Sequence, residues 1–135
     1  MEILLNKHSG LLGVSEKSSD LRDILAGWRA GDERCCITLE MYIDSLVQHI
    51  GAYVALMNGV DAIVLTAGVM ERSEPVRELL LQRLAWLGSA LDPEKNIGIV
   101  QARCITTPNS QVPVYVIPTN EELMIAEETY RLIEK

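Results

Sequence analysis

Residues 61–81 read DAIVLTAGVMERSEPVRELLL, and they carry the chain from one kind of secondary structure to another. Ala62 to Thr66 is an apolar, β-branched run, expected as a buried strand. Gly68 follows, where the backbone can turn tightly or admit a ligand. Ser73 is placed to cap a helix whose first turn holds Glu74 and Pro75, both favoured there. That helix is expected to run on through Val76, Leu79, Leu80, Arg83 and Leu84 with one apolar face. A strand feeding a glycine turn and a helix N-terminus suits an anion, because unpaired N–H groups converge there. One glycine is nevertheless a weaker signal than a full phosphate loop, and neither GxxxxGK[ST] nor GxGxxG occurs.

Outward from this stretch the chain alternates helices and strands. Ser18-Ser19-Asp20 offers caps for a short helix carrying Leu21, Ile24, Leu25 and Trp28, ended by Gly31. Glu33 to Asn58 is the longest helical pattern, with apolar positions from Ile37 to Met57. Gly51 in its interior suggests close packing against a neighbour, and His49, near the apolar face, is expected to be buried and hydrogen-bonded. Gly88 breaks the helix after the central strand, and a loop from Leu91 through Asn96 follows. Ala102 to Thr106 and Val112 to Ile117 read as a hairpin-like pair of strands around Pro108-Asn109-Ser110. Thr119 or Asn120 caps a last helix with Glu121 and Glu122 in its first turn. The order α-α-β-α-β-β-α implies a layered α/β fold in a single domain spanning residues 1–135.

Composition narrows the function. Nineteen acidic against twelve basic residues leave a net charge of −7, which argues against a nucleic-acid surface. Hydrophobic residues make up 48% of the chain, enough for a real core. Cys35, Cys36 and Cys104 have neither disulfide-framework nor CxxC spacing and are expected as reduced, near-core residues. His8 is expected at the surface or at a cap. No apolar run approaches the roughly 18 residues of a membrane span, and no secretory signal is read before Asn6, so a cytoplasmic protein without a membrane partner is expected.

Four stretches in collinear order, LLNKHSGLLGVS from Leu4, SSDLRDI from Ser18, DAIVLTAGVMERSEPVRELL from Asp61 and VIPTNEELMIA from Val116, together resemble the C-terminal part of acetate kinase, the acetokinase family. The resemblance implies a ribonuclease-H-like α/β fold of the actin, sugar-kinase and heat-shock-ATPase type. This chain would be part of the nucleotide-binding domain, about the last third of such an enzyme. It implies reversible phosphoryl transfer between ATP and a short carboxylate, giving an acyl phosphate and ADP, and a homodimer joined through C-terminal domains. By the same resemblance Asp20, Leu21 and Arg22 lie against the nucleotide, as do Gly68, Val69, Met70, Glu71 and Arg72. Glu121 serves the Mg2+ that accompanies ATP or ADP, consistent with a metal that takes few protein carboxylates and keeps its waters. No catalytic residue is expected in this portion: the family's carboxylate-binding arginine, histidines, catalytic aspartate and magnesium-site asparagine are expected outside these residues.

Two positions depart from the family's TAGIGENS pattern. Met70 stands for its second glycine and Arg72 for its asparagine. If position 70 needs a positive φ, methionine is strained there and nucleotide affinity falls. Arg72 is placed to pair with a phosphate, or with Glu71 or Glu74. Acetate, propionate and butyrate remain open as substrates. The competing reading is a non-catalytic remnant that binds nucleotide weakly or associates with a partner.

Overall fold

The computed structural model describes residues 8–133 and divides into two compact units, Met1–Asn58 and Gly59–Lys135. Of the first stretch in the resemblance, residues 4–7 lie outside the described residues.

The first unit is helical. Helix α1 spans Gly10–Ser15 and stops at Glu16, whose φ of 56° turns the chain and whose N–H reaches the Leu12 carbonyl at 2.8 Å. Helix α2, Leu21–Arg29, begins at Asp20, whose carboxylate accepts from the Arg22 N–H at 2.8 Å. Helix α3, Glu33–Leu56, begins at Asp32, whose Oδ1 accepts from the Cys35 N–H at 3.0 Å, while Lys17 pairs with the other oxygen. Both caps satisfy amides that a helix start leaves without partners. Leu21, Ile24 and Leu25 of α2 are buried, as are Cys35, Thr38, Leu39 and Ile43 of α3. Their three- and four-residue spacing is that of two helices sharing one seam. The seam is tight at Gly27, where an added Cβ would lie 2.3 Å from Cys35 Sγ.

Two expectations for α3 are corrected. Gly51 is not crowded: an added Cβ there meets nothing within 4 Å. His49 is exposed, with Nδ1 2.7 Å from the Ser45 carbonyl of its own helix. The buried residues of α3 run only as far as Ile43, so neither position has a core to face. Cys35 is buried, Cys36 and Cys104 are partly so, and all three are free thiols. Burial pushes the Cys35 thiol above its ordinary range.

The second unit is α/β. Strand β1, Ile63–Leu65, pairs in parallel with β3, Val114–Val116, and β2, Arg103–Cys104, pairs antiparallel with β3, giving the order β1-β3-β2. The antiparallel β2–β3 pair is the expected hairpin-like pair, and a parallel pair needs the long crossover that the helices after β1 supply. Ile63, Leu65, Val114, Val116 and Ile105 are buried. So are Val76, Leu80 and Leu81 of the helix Glu74–Arg83, and Leu84 just beyond it. Val64 and Tyr115 alternate with these and remain exposed, so β1 is half-buried rather than buried on both faces. A 3-10 turn, Ala85–Leu87, ends on Gly88 at φ 74°.

Candidate functional site

The chain leaves β1 at Leu65 and enters a six-residue helix, α4, Ala67–Arg72, before Ser73 breaks it from α5, Glu74–Arg83. The left-handed residue in this turn is Ala67, at φ 67°, rather than Gly68. Gly68 sits inside α4 and is exposed, and an added Cβ there would meet nothing within 4 Å. Met70 has no positive φ, so the strain expected of methionine at this position does not arise. Ser73 occupies the cap position of α5, but its hydroxyl makes no cap bond and is buried without a partner. The expected Ser73 cap is therefore corrected. Arg72 is exposed and, among the described residues, forms no ion pair with Glu71 or Glu74.

The neighbouring parallel strand delivers the second segment to the same edge. The Thr66 hydroxyl donates to the Ile117 carbonyl at 2.9 Å, and the Ile117 N–H donates to the Leu65 carbonyl at 3.0 Å. Glu71 then spans the gap between the segments. Its Oε1 accepts from the Thr119 N–H and from the Thr119 hydroxyl, both at 2.9 Å. These bonds, the backbone one foremost, hold the Glu71 carboxyl below its ordinary range. One residue on, Asn120 Oδ1 accepts from the Leu123 N–H at 3.0 Å and caps the last helix, α6, Glu121–Ile133. Asn120 rather than Thr119 is thus the cap, because the Thr119 hydroxyl is engaged by Glu71. Glu121 opens α6 and is exposed.

The site residues thus fall into separate groups. Gly68, Val69, Met70, Glu71 and Arg72 lie along α4, and Glu71 joins them to the loop that presents Glu121. Both segments issue from the C-terminal ends of adjacent parallel strands, where open α/β sheets bind ligands. Asp20, Leu21 and Arg22 belong to the first unit. Leu21 is in its core, and the Arg22 guanidinium folds back on Asp20, holding that carboxyl down to about 2. No group of three or more His, Cys, Asp or Glu side chains able to hold a metal occurs among the described residues. A lone carboxylate such as Glu121 does fit a magnesium ion carried mainly by phosphate oxygens and water.

Two buried polar residues beside α4 escape the sequence reading. Arg77 is 1% exposed and Asn96 is 4% exposed. Arg77 donates from Nε to Asn96 Oδ1 and from Nη2 to the Asn96 carbonyl, both at 2.6 Å. Its Nη1 reaches the carbonyls of Met70 at 2.8 Å and Glu71 at 3.0 Å. Asn96 Nδ2 in turn donates to the Glu74 carbonyl at 3.1 Å. The available signal was a charged residue on the apolar stripe of Val76, Leu80, Leu81 and Leu84, where arginine is seldom buried unless paired.

The Glu71 link has a testable pH signature. Its depressed carboxyl contributes stability that is present above the ordinary carboxylate value and is lost as pH falls through the lowered one. Glu71→Gln is expected to lower the melting temperature at pH 7 and to narrow its deficit against the wild-type chain as the acid is protonated. Thermal melts from pH 7 to pH 3 check this, and a constant deficit across that range would show that the charge plays no part.

Similarity to known proteins is extensive. The sequence profile described as the Acetokinase family matches residues 1–127. An acetate kinase of Streptococcus thermophilus is 52% identical over 132 residues, covering 98% of this chain and 33% of that protein. The crystal structure of Porphyromonas gingivalis acetate kinase superimposes with a TM-score of 0.84 at 40% identity, over 98% of this chain and 33% of that one. A propionate kinase from Francisella tularensis gives a TM-score of 0.83 at 34% identity, over 94% and 32%. The chain therefore spans about a third of the length of the relatives it matches, and its fold is part of the fold those kinases share.

Proposed function

The chain belongs to the acetokinase family, and on that premise we propose that it forms the nucleotide-side, C-terminal part of a phosphotransferase. The reaction is reversible phosphoryl transfer between ATP and a short carboxylate, acetate first among acetate, propionate and butyrate. One observation carries this reading: Glu71 ties α4 to the loop before Glu121, so two segments from adjacent strand ends present one continuous edge. Backbone of Gly68 and Val69 would approach the adenosine and phosphate region, where Gly68 leaves open space. Met70 and Arg72 keep this helical geometry while changing the surface offered to the ligand. By the family resemblance Asp20 and Arg22, taken within the first unit by itself, are also proposed as nucleotide contacts, with the buried Leu21 limited to its backbone.

Glu121 would hold Mg2+ through its carboxylate, and the bound metal supplies neutralisation of phosphate charge. The chain's own contribution is positional. Asn120 fixes the start of α6, Thr119 is fixed by Glu71, and Glu121 is thereby held at the loop's end. We place the protein in the cytoplasm and read it as one copy of a homodimer. Exposed apolar residues on α3 (Ile37, Met41, Tyr53, Leu56) and on α6 (Leu123, Ile125, Tyr130) favour association, because apolar surface on this scale tends to be covered.

The test compares Glu121→Gln with Glu122→Gln, one residue and about 100° further round the helix. Calorimetric titration of ADP with and without magnesium is expected to show that Glu121→Gln shrinks the affinity gained on adding the metal. Glu122→Gln should leave that gain as in the wild-type chain. If the two variants behave alike, the metal role does not belong to Glu121.

A further inference from the structure

We propose that Arg77 is a positioning residue that sets the conformation of α4 and, through it, the affinity of the edge for a nucleoside diphosphate. The inference rests on the nucleotide reading above. Helix α4 is too short to hold itself: six residues leave most of its terminal carbonyls without helical partners. The serine that follows does not help, since its hydroxyl is buried and unbonded. Arg77, one turn into α5, takes over the task. One guanidinium nitrogen binds the carbonyls of Met70 and Glu71 together. The other two nitrogens are anchored on Asn96, which is itself fixed to the Glu74 carbonyl.

The planar fork matters here. Nε and the two Nη groups bond in three directions at once, which a lysine ammonium on a flexible stem cannot reproduce. Among the described residues no carboxylate forms an ion pair with Arg77, so its donors are directed to amide and backbone oxygens. Glu71 lies at the junction of the two systems. Its carbonyl is held by Arg77, and its carboxylate holds Thr119. Moving the carbonyl would move the carboxylate, and with it the loop that presents Glu121.

The experiment uses the 135-residue chain, as Arg77→Lys and Arg77→Met, with Ser89→Ala as control. Ser89→Ala removes another buried hydrogen bond of the same unit, from the Ser89 hydroxyl to the Val112 carbonyl at 2.8 Å, which involves no residue of α4. Amide hydrogen exchange in the ligand-free proteins reads α4 directly. Exchange is expected to quicken in Arg77→Lys at residues 69–73 while the β1 and β3 amides stay protected. At a temperature where each variant is folded by circular dichroism, the Kd for Mg-ADP is expected to rise about tenfold in Arg77→Lys, the order seen when an outer partner of a ligand site is lost. It should stay near wild type in Ser89→Ala. A merely structural role would lower the melting temperature, speed exchange throughout the unit and leave Kd unchanged in the folded protein; that pattern overturns the proposal. Should Arg77→Met not fold, Arg77→Lys carries both readouts. If the wild-type chain fails to bind Mg-ADP, the nucleotide reading falls, and unchanged exchange at residues 69–73 in Arg77→Lys would separately refute the clamp.

Discussion

Gly27→Val is expected to destabilise the helical unit by about 3 kcal/mol and to lower its melting temperature well below that of the wild-type chain. An added Cβ at this position lies 2.3 Å from Cys35 Sγ and 2.9 Å from Cys35 Cβ, well inside any real contact distance. Cys35 is 1% exposed in the seam between α2 and α3, so its side chain has nowhere to retreat. The helices must separate, which also uncovers Leu21, Ile24, Leu39 and Ile43. Overpacking a well-filled core costs about 1–3 kcal/mol and occasionally more, and valine adds two methyl groups to the first overlap. Against the roughly 5–15 kcal/mol that holds a typical domain, this is a large fraction. Thermal unfolding followed at 222 nm checks it. Gly27→Ala combined with Cys35→Ala removes the sulfur and is expected to recover part of the loss, whereas wild-type stability in Gly27→Val would mean that the seam is looser than described.

The second large effect concerns turnover. The 135-residue chain alone is expected to show no acetate kinase activity in either direction. Transfer of a phosphoryl group depends on positioning and charge neutralisation on both sides of the moving group. The chain spans about a third of the relatives it matches, and no group of three or more His, Cys, Asp or Glu side chains able to hold a metal occurs among the described residues. The groups expected to bind the carboxylate and stabilise the transition state are assigned by resemblance outside these residues. A coupled assay for ADP formation, with an enzyme-free blank and a preparation shown to bind Mg-ADP, decides the point. Turnover above the blank would place a complete catalytic set within this chain.

Much of the fold was legible because it rests on local rules. The caps Asp20 and Asn120 lie where short polar side chains precede apolar periodicity, and the β2–β3 pair follows its turn cluster. The failures share a cause: they depended on what lies across from a residue. Gly51 and Gly27 look alike in sequence, yet only Gly27 faces a neighbouring helix. His49 fell on the apolar stripe of α3 beyond the point where that helix is buried. At the candidate site, the glycine after the strand directed attention to Gly68 as the turn, whereas the backbone turns at Ala67. For Glu71, still proposed among the nucleotide contacts, what the sequence did not reveal is that its Oε1 binds Thr119, 48 positions away in sequence. Arg77 was legible only as an oddity, because no periodicity says that two carbonyls seven and six residues earlier require a guanidinium.

The central claim is that α4 and the loop before α6 together form a nucleotide-binding edge. Its most direct test is a titration of the 15N-labelled chain with Mg-ADP, followed by amide chemical shifts. Saturable shifts are predicted at Gly68 to Arg72 and at Thr119 to Glu122, reporting one common dissociation constant. Shifts confined to other surfaces, or none at millimolar Mg-ADP in a chain whose spectrum shows it folded, would contradict the account.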